Sequence, residues 1–171
     1  MKLPVAPISL GNNKRLRPIC RDDLLTTLAW RNQADTRRWF KHSEPLTWEQ
    51  HSSWFERYLE KDEDLTFAIE DTETKEIVGQ AAIYNINKAA REAEVGRFIS
   101  APRQRGKGHI QAACRALLRL AFDELQLDRV YLEVFRANRS AILVYEKCGF
   151  VLECADGDLA RMSVRRAGFT A

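Results

Sequence analysis

The sequence predicts a single α/β domain of the mixed α+β type, with a mostly antiparallel sheet of about seven strands and about four helices. Runs in which apolar and polar residues alternate are interspersed with runs of helical spacing along the whole chain. No repeat, linker or low-complexity segment divides its 171 residues, a length that suits one domain with its own core. We expect this domain to cover residues 13–167. Residues 1–12, which contain Pro4, Pro7 and Gly11, are expected to be a flexible leader.

The first half of the chain predicts a strand, two helices and a hairpin. The first strand contains Pro18, which favours a sheet edge because proline lacks the N–H that a neighbouring strand would need. Asp22 and Asp23 place negative charge where a helix begins. Thr47 and Gln50 form a capping box, which starts the second helix. The expected elements are strand 14–19, helix 22–32, a helix from residue 47, and hairpin strands 65–70 and 77–83.

The second half predicts strands and helices in alternation, closed by a hairpin. In the first of these strands the alternation places Ala93, Val95, Arg97 and Ile99 on one face. The helix that follows has a continuous apolar stripe, which predicts that it packs on the sheet. The expected elements are strands 92–100, 129–135, 150–154 and 159–164, and helices 110–125 and 140–147.

A glycine-rich basic turn joins strand 92–100 to the helix after it, with the sequence Arg103-Gln104-Arg105-Gly106-Lys107-Gly108-His109. The unpaired N–H groups and the macrodipole at a helix N-terminus attract anions, and Gly106 and Gly108 let the backbone approach a ligand closely. A P-loop would need Ser or Thr after Lys107, and a dinucleotide fingerprint would need a third glycine. The turn therefore predicts a phosphate site of another kind, unless it is only a charged cap on a surface helix.

Composition narrows the functional classes. The net charge is only +3 and the basic residues are scattered, which disfavours a nucleic-acid partner and favours a small polyanion. The N-terminus has no secretory apolar region and no apolar run reaches membrane-span length, so we expect no membrane partner. Cys20, Cys114, Cys148 and Cys154 lack metal-ligand spacing. We interpret them as reduced thiols of a cytoplasmic protein that holds no metal.

A second motif follows the glycine-rich turn. Leu132-Glu133-Val134-Phe135 ends a strand, Asn138 and Ser140 come next, and Tyr145-Glu146-Lys147-Cys148-Gly149-Phe150 ends the following helix. Together with Arg103-x-x-Gly106-x-Gly108, this pattern resembles the GNAT superfamily of acetyl-CoA-dependent N-acetyltransferases. The resemblance covers most of the chain from about residue 65 onward. It implies acetyl-CoA as the co-substrate and two central strands that separate to hold its pantetheine arm.

The resemblance also assigns roles to single residues. Asn138 would hold the pantetheine arm where the second strand ends, although an Asn there otherwise serves as a cap. Tyr145 would protonate the departing CoA thiolate as the general acid, although a Tyr on an amphipathic helix is otherwise a core residue. The implied contacts to acetyl-CoA are Ile99, Ser100, Ala101, Arg103, Gln104, Arg105, Gly106, Lys107, Gly108, His109, Asn138, Ser140 and Tyr145.

The attacking amine must lose a proton, and a carboxylate on the central strands is the obvious acceptor. Leu132-Glu133-Val134, with Tyr145 twelve positions after the Glu, resembles the ribosomal-protein N-terminal acetyltransferases, in which that Glu is the base. Glu94 on the neighbouring strand is the alternative. A third possibility is that both are solvated strand residues with no part in the reaction.

The acceptor is expected to bind where arginines stand beside aromatic residues, since guanidinium groups hold phosphate and aromatic faces cover a base or sugar. Such residues occur in Trp30-Arg31-Asn32, Arg37-Arg38-Trp39 and Thr47-x-x-x-His51-x-x-Trp54. This segment resembles acetyltransferases of UDP-linked 4-amino sugars in the pseudaminic acid pathway, so a nucleotide-linked amino sugar is the expected acceptor. A peptide N-terminus is the alternative, and a non-catalytic acyl-CoA-binding module is a third possibility. We expect a monomer or a dimer. The expected acceptor contacts are Trp30, Arg31, Asn32, Arg38, His51 and Trp54.

Overall fold

The computed structural model describes residues 5–170 and has a central sheet of eight strands with helices on both faces. The strands are β1 (Ile8–Gly11), β2 (Lys14–Pro18), β3 (Leu65–Asp71), β4 (Ile77–Asn87), β5 (Glu92–Ser100), β6 (Arg129–Phe135), β7 (Val151–Asp156) and β8 (Leu159–Arg165). The helices are α1 (Leu24–Asn32), α2 (Ala34–Arg37), α3 (Trp48–Leu59), α4 (His109–Arg119) and α5 (Arg139–Lys147). The predicted α+β fold is confirmed, and the sheet has eight strands where about seven were expected.

The sheet has the strand order β1-β2-β3-β4-β5-β6-β8-β7. Neighbouring strands are antiparallel except β5 and β6, which run parallel. A parallel pair needs a crossover on one face of the sheet, and α4 is the α-helix of that crossover. α4 packs on β4 and β5, while α1 and α3 pack against each other beside the sheet.

The main core lies between α4 and the sheet. Ala113, Cys114, Leu117 and Leu118 of α4 are fully buried in it, with the spacing of one helix face. A second, smaller cluster joins α1 and α3 and consists of Ile19, Leu24, Phe55 and Tyr58. The first turn of α3 forms the predicted capping box, in which Thr47 and Gln50 each accept a backbone N–H of the other. This helix pair covers the sheet face opposite α4.

The N-terminal strand differs from the prediction. The sequence places residues 8–11 in a flexible leader, but they form β1 and pair antiparallel with β2. β1 therefore occupies the sheet edge that Pro18 seemed to mark, and Pro18 is the last residue of β2. Gly11, Asn12 and Asn13 all have positive φ and make the tight turn between these strands, so they are turn residues rather than simple breakers. Residues 1–4 of the expected leader lie outside the described residues.

β5 and β6 pair only near their first residues. The register joins residues 92–94 of β5 to residues 129–131 of β6 and stops there. β5 nevertheless continues to Ser100 and β6 to Phe135, so the two strands separate after Glu94. This separation confirms the splayed strand pair that the sequence motifs imply.

A β-bulge in β5 accompanies the separation. Ala82 of β4 opposes Gly96 and Gln80 opposes Ile99, so two β5 residues face one residue of β4. Arg97 lies in the bulge with a φ of 52°, a conformation that residues other than glycine seldom adopt. The carbonyl of Arg97 accepts a hydrogen bond of 3.1 Å from the Gln80 amide.

The bulge changes which face of the sheet the β5 side chains occupy. Ala93 and Val95 belong to the core under α4. Arg97 and Ile99 instead line a cavity on the opposite face, beside α1 and α3. The predicted single face for these four residues is therefore wrong, because the extra residue reverses the alternation.

An ion-pair network fixes the start of α1 against the sheet. Arg17 of β2 donates to Asp23 through Nη1 and Nη2 (2.7 and 2.9 Å) and to Glu70 of β3 through Nε (2.5 Å). Asp23 and Glu70 are only 5% and 6% exposed. Burial alone would raise the pKa of Asp23, but hydrogen bonds from Arg17 and from the Cys20 N–H lower it below its usual range. The hydrogen bond from Arg17 is also the main reason why the pKa of Glu70 is lowered.

We expect Arg17→Met to lower the free energy of unfolding by about 3 to 5 kcal/mol at pH 7, because it leaves a buried carboxylate without its counter-ion. Arg15→Met is the control, since Arg15 contacts Glu70 alone and is more exposed, so its loss should cost about 1 kcal/mol or less. Urea denaturation of both variants measures the difference.

The pH dependence of the free energy of unfolding separates the loss of charge from the loss of packing in Arg17→Met. Asp23 and Glu70 have lower pKa values in the folded protein than in the unfolded chain, so the stabilisation that they provide is present above pH 4.5 and is lost as pH falls through the folded pKa values. The stability gap between wild type and Arg17→Met should therefore shrink on acidification from pH 7. An equal stability difference between wild type and Arg17→Met at pH 7 and at acid pH would show that the lost stability comes from the alkyl part of Arg17.

Candidate active site

The glycine-rich turn forms an open concavity at the N-terminus of α4. Gly106 and Gly108 have φ values of 76° and 81°, and a Cβ on either would meet no heavy atom within 4 Å. Gly108 is the N-cap of α4, and its carbonyl accepts from the Ala112 N–H at 3.1 Å. The helical N–H groups ahead of Ala112 have no partner inside the helix. Open space beside unpaired donors fits a diphosphate group.

The basic residues of this turn are not equivalent. Arg103 and Lys107 are exposed beside the concavity. Arg105 was expected to contact phosphate, but its Nη2 donates to the Gln33 side chain (3.2 Å) and to the Thr36 hydroxyl (3.1 Å). Arg105 thus joins the turn to the corner between α1 and α2. Sequence reasoning could not find this contact, because the two segments are far apart in the chain.

His109 begins α4 and packs against the turn. Its Nε2 lies 3.3 Å from Oε1 of Gln104, which can only accept, so the ring donates. Burial lowers the pKa of His109, and the positive charges of Lys14 and Lys107 lower it further. The ring is therefore neutral at neutral pH and is hydrogen-bonded to Gln104 within the turn. A contact of His109 to acetyl-CoA stays a prediction.

Fewer backbone N–H and C=O groups of β5 are free beside the gap between β5 and β6 than the sequence suggests. Ser100 and Ile99 oppose Gly79 and Gln80 of β4. The N–H of Ala101, expected to bind the pantetheine arm, donates instead to the Val78 carbonyl at 2.9 Å. The groups of β5 that point away from β4 beyond Glu94 have no partner on β6. These groups remain available to an extended ligand that lies in the gap.

Tyr145 of α5 lies next to the strand gap. Its ring centroid is 5.8 Å from that of Phe98, beside the bulge, and 6.1 Å from that of Phe150. Burial is the main cause that raises the pKa of Tyr145, so the phenol keeps its proton at neutral pH. A protonated phenol at this position can donate to a group in the gap.

Asn138 acts as the N-cap of α5. Its Oδ1 accepts from the Ala141 N–H and from the Ser140 hydroxyl, each at 3.3 Å. The capping role, which the sequence left as the alternative, is therefore the one that the structure shows. Contacts of Asn138 and Ser140 to acetyl-CoA stay predictions.

Glu133 of β6 is held by two cations. Its carboxylate lies 2.9 Å from Lys41 Nζ and 3.3 Å from Arg161 Nη2. The hydrogen bond from Lys41 is the main cause that lowers the pKa of Glu133. An ion-paired carboxylate of lowered pKa is a weaker proton acceptor, which argues against Glu133 as the base.

Glu94 has neutral partners instead. It accepts hydrogen bonds from the Tyr84 hydroxyl (3.1 Å) and from the Asn85 amide (2.9 Å). Burial and the charge of Glu94 raise the pKa of Tyr84, so the phenol keeps its proton. The guanidinium of Arg97 lies over the Tyr84 ring at 4.0 Å, which places Glu94 next to the bulge.

A cavity of about 420 Å³ lies between the helix pair α1/α3 and the sheet. Its wall is contributed by two helices, the loop between α2 and α3, and the two strands β4 and β5. The lining residues are Thr27, Arg31, Phe40, Leu46, Gln50, His51, Trp54, Arg57, Gln80, Arg97 and Ile99. Its volume suits a small-molecule ligand, and its position beside Ile99 places it next to the strand gap.

The structure brings Arg31, His51 and Trp54 together in this cavity, as the sequence predicts. The other three expected contacts lie outside its lining. Trp30 is buried in the protein interior. Asn32 exchanges two hydrogen bonds of 2.8 Å with the backbone of Leu46, so it shapes the cavity wall without lining it. Arg38 is exposed and its guanidinium lies over Trp39.

Several lining residues of the cavity were not predicted from the sequence, for two reasons. Gln50 and Arg57 share one face of α3 with Trp54 at helical spacing, a signal that was present in the sequence. Gln80 and Arg97 come from strands, and the bulge that turns Arg97 toward the cavity has no reliable mark in the sequence.

His51 is neutral and contacts Thr27. The Thr27 hydroxyl lies 3.3 Å from the Leu24 carbonyl and 3.2 Å from His51 Nε2. Burial lowers the pKa of His51, and the nearby Arg31 lowers it further, so the ring carries no charge at neutral pH.

Two negative findings concern residues 5–170 only. No cluster of three or more His, Cys, Asp or Glu side chains in this range could bind a metal ion. None of its helices combines the length and apolar character that a bilayer crossing requires.

Comparison with known proteins identifies the family. Residues 14–151 match the model of the acetyltransferase (GNAT) domain. A spermidine N(1)-acetyltransferase of Vibrio cholerae is 31% identical over 116 residues, which cover 67% of this chain and 65% of that protein. A putative ribosomal N-acetyltransferase of Bacillus subtilis is 39% identical over 77 residues, which cover 45% of this chain and 42% of that protein.

The fold comparison agrees with the sequence comparison. The crystal structure of spermidine N-acetyltransferase from Vibrio cholerae in complex with CoA and spermine superposes with a TM-score of 0.83 at 26% identity, covering 92% of this chain and 98% of that one. The glycine-rich turn, the splayed strands and Tyr145 all lie within the region that the family model matches. The chain therefore belongs to the GNAT family of acetyltransferases.

Proposed function

We propose that this chain is an acetyl-CoA-dependent N-acetyltransferase that moves an acetyl group to a primary amine by direct attack. The observation that carries the proposal is the separation of β5 from β6 beside the open N-terminus of α4, with a cavity on the other face of the same strand. Acetyl-CoA supplies the acetyl group as a thioester. The spermidine N-acetyltransferases among the relatives support the same chemistry.

Tyr145 is the proposed general acid. Transfer of the acetyl group to nitrogen releases a thiolate, which needs a proton. The raised pKa of Tyr145 keeps its phenol protonated, and the contact with Phe98 places that phenol beside the gap. The hydroxyl can therefore donate a hydrogen bond to the sulfur as it leaves.

Glu94 is the proposed general base. The sequence favoured Glu133, but Lys41 and Arg161 both stabilise the anionic form of that carboxylate. Glu94 accepts hydrogen bonds from two uncharged groups, the Tyr84 hydroxyl and the Asn85 amide, and no ion pair with another described residue holds it. Glu133 instead fastens the loop that contains Lys41 to the sheet.

The acceptor is proposed to be a small-molecule primary amine. A nucleotide-linked amino sugar, expected from the sequence, is not among the substrates named in the relatives reported above and stays a hypothesis based on the arginine-rich segment. A peptide N-terminus is a second candidate, which the ribosomal relative favours. Monomer or dimer also stays a prediction, and one structure of the Vibrio cholerae enzyme is dodecameric.

We expect Gly106→Asp to weaken CoA binding by about a hundredfold or more, because it places bulk and negative charge where the diphosphate would lie. Gly157→Asp is the matched control. Gly157 also has positive φ and open space but lies in the turn between β7 and β8, so the backbone strain is comparable. Calorimetry with CoA compares the two variants, and wild-type affinity in Gly106→Asp would move the site elsewhere.

We expect Tyr145→Phe to lower kcat by about ten- to a thousandfold with little change in KM for acetyl-CoA, because the hydroxyl acts only as the thiolate leaves. The Phe ring preserves the contacts with Phe98 and Phe150. Thiol release from acetyl-CoA in the presence of spermidine, amino sugars and peptides measures the rate. Absence of thiol release with every amine would refute the proposed activity itself.

We expect Glu94→Gln to reduce kcat/KM most at low pH and to recover as pH approaches the pKa of the amine. A general base is needed only while the amine is protonated, so the deficit shrinks as free amine accumulates. Glu133→Gln is the comparison, with a smaller rate deficit and an increased mobility of the Lys41 loop. A larger and pH-dependent deficit in Glu133→Gln would return the base assignment to that residue.

A further inference from the structure

We infer that the acceptor amine carries an oxyanion, a phosphate or a carboxylate, and that the guanidinium of Arg31 binds it through Nη1. This inference rests on the proposed acetyl transfer and narrows its class of substrate. It concerns the end of the cavity formed by α1 and the loop between α2 and α3.

Arg31 is buried with a donor group that has no partner. The residue is only 7% exposed, and its Nη1 has almost no exposed surface and makes no hydrogen bond to any described residue. Buried polar groups are nearly always hydrogen-bonded, because an unpaired donor keeps the full cost of its desolvation. Since Arg31 lines the cavity, a ligand there can supply the missing acceptor.

The rest of the guanidinium is already held in place. Nη2 donates to the His42 carbonyl, and the group lies over the Phe40 ring at 4.1 Å. Both contacts restrict its orientation, so little side-chain entropy remains to be lost on binding. Nη1 is thus presented as a fixed donor, the arrangement that suits recognition of an oxyanion.

Arg31 also lacks a counter-ion, unlike the other buried charges between residues 5 and 170. The buried carboxylates Asp23 and Glu70 pair with Arg17, and Asp64 pairs with Arg97. No Asp or Glu is among the described residues that line the cavity. Burial lowers the pKa of Arg31 and the neighbouring Arg37 lowers it further, as expected for a cation whose neighbour has the same sign. An anionic ligand in the cavity would supply the compensating negative charge.

The charges of the side chains that line the cavity also disfavour a polyamine as the acceptor. Arg57 also lines the cavity, the charge of Arg97 is balanced by Asp64, and His51 is neutral, so the described lining residues offer no unpaired anion to a polycation. A second or third ammonium group would meet guanidinium groups in partly desolvated surroundings. An amine with an oxyanion at its other end has the complementary charge for Arg31.

The first test is binding of inorganic phosphate to protein saturated with CoA, which blocks the glycine-rich turn. Calorimetry should detect phosphate binding to wild type, weakened about tenfold or more in Arg31→Gln and less in Arg31→Lys, since a charge-assisted hydrogen bond is lost. Arg165→Gln, which removes an exposed arginine at the end of β8, should bind phosphate like wild type. Equal binding in wild type and Arg31→Gln would overturn the inference.

The second test compares acetylation of O-phosphoethanolamine, β-alanine, ethanolamine and spermidine. Wild type should prefer an oxyanion-bearing amine over ethanolamine by about tenfold or more in kcat/KM, and this preference should largely disappear in Arg31→Gln. The two oxyanion-bearing amines show whether phosphate or carboxylate is favoured. Spermidine as the best substrate, or an unchanged preference in Arg31→Gln, would show that the inference is wrong.

The two tests fail independently. Phosphate binding that depends on Arg31, without acetylation of any amine, would refute the proposed activity and leave the oxyanion site in place. Acetylation without preference for an oxyanion would refute the oxyanion site and leave the proposed activity in place. If Arg31→Gln does not fold, the wild-type preferences and the Arg31→Lys variant still decide the question.

Discussion

The arrangement of the site depends on the bulge at Arg97. One extra residue in β5 reverses the side-chain alternation and lets the strand leave β6. The left-handed backbone at this position costs about 1 to 3 kcal/mol, so other interactions must hold it. Those interactions are the ion pair of Arg97 with Asp64 at 2.8 Å, its stacking on Tyr84 and the Gln80 amide on its carbonyl.

The bulge at Arg97 therefore shapes both parts of the candidate site, the gap between β5 and β6 and the cavity on the opposite face. On the α4 side, the separated strands and the glycine-rich turn leave backbone groups for an extended ligand with a diphosphate. On the opposite side, Ile99 becomes the part of the cavity wall nearest the gap. In the proposed reaction, acetyl donor and acceptor would meet across a single strand, which is a geometry suited to direct transfer between two bound molecules.

The partners of the buried charged side chains distinguish Arg31 from the others. Its buried carboxylates between residues 5 and 170 serve as partners for arginines that hold the structure together. Arg31 stands apart, because its partners are a carbonyl and an aromatic ring. A protein retains an uncompensated buried cation at some cost in stability, and ligand binding offers a physical reason for keeping it.

The sequence by itself determined the features that depend on neighbours in the chain. Helical and strand periodicity, the capping box at Thr47, the glycines of the α4 turn and the motif that ends at Phe150 were enough to predict the fold and the family. Tertiary structure alone decided the features that depend on distant residues. Lys41 pairs with Glu133 across the fold, Arg105 joins the glycine-rich turn to Gln33 and Thr36, and residues 8–11 become a strand because β2 is beside them. The bulge is of the same kind, since Asp64 just before β3 and Gln80 on β4 hold Arg97 in a backbone conformation that local preference disfavours.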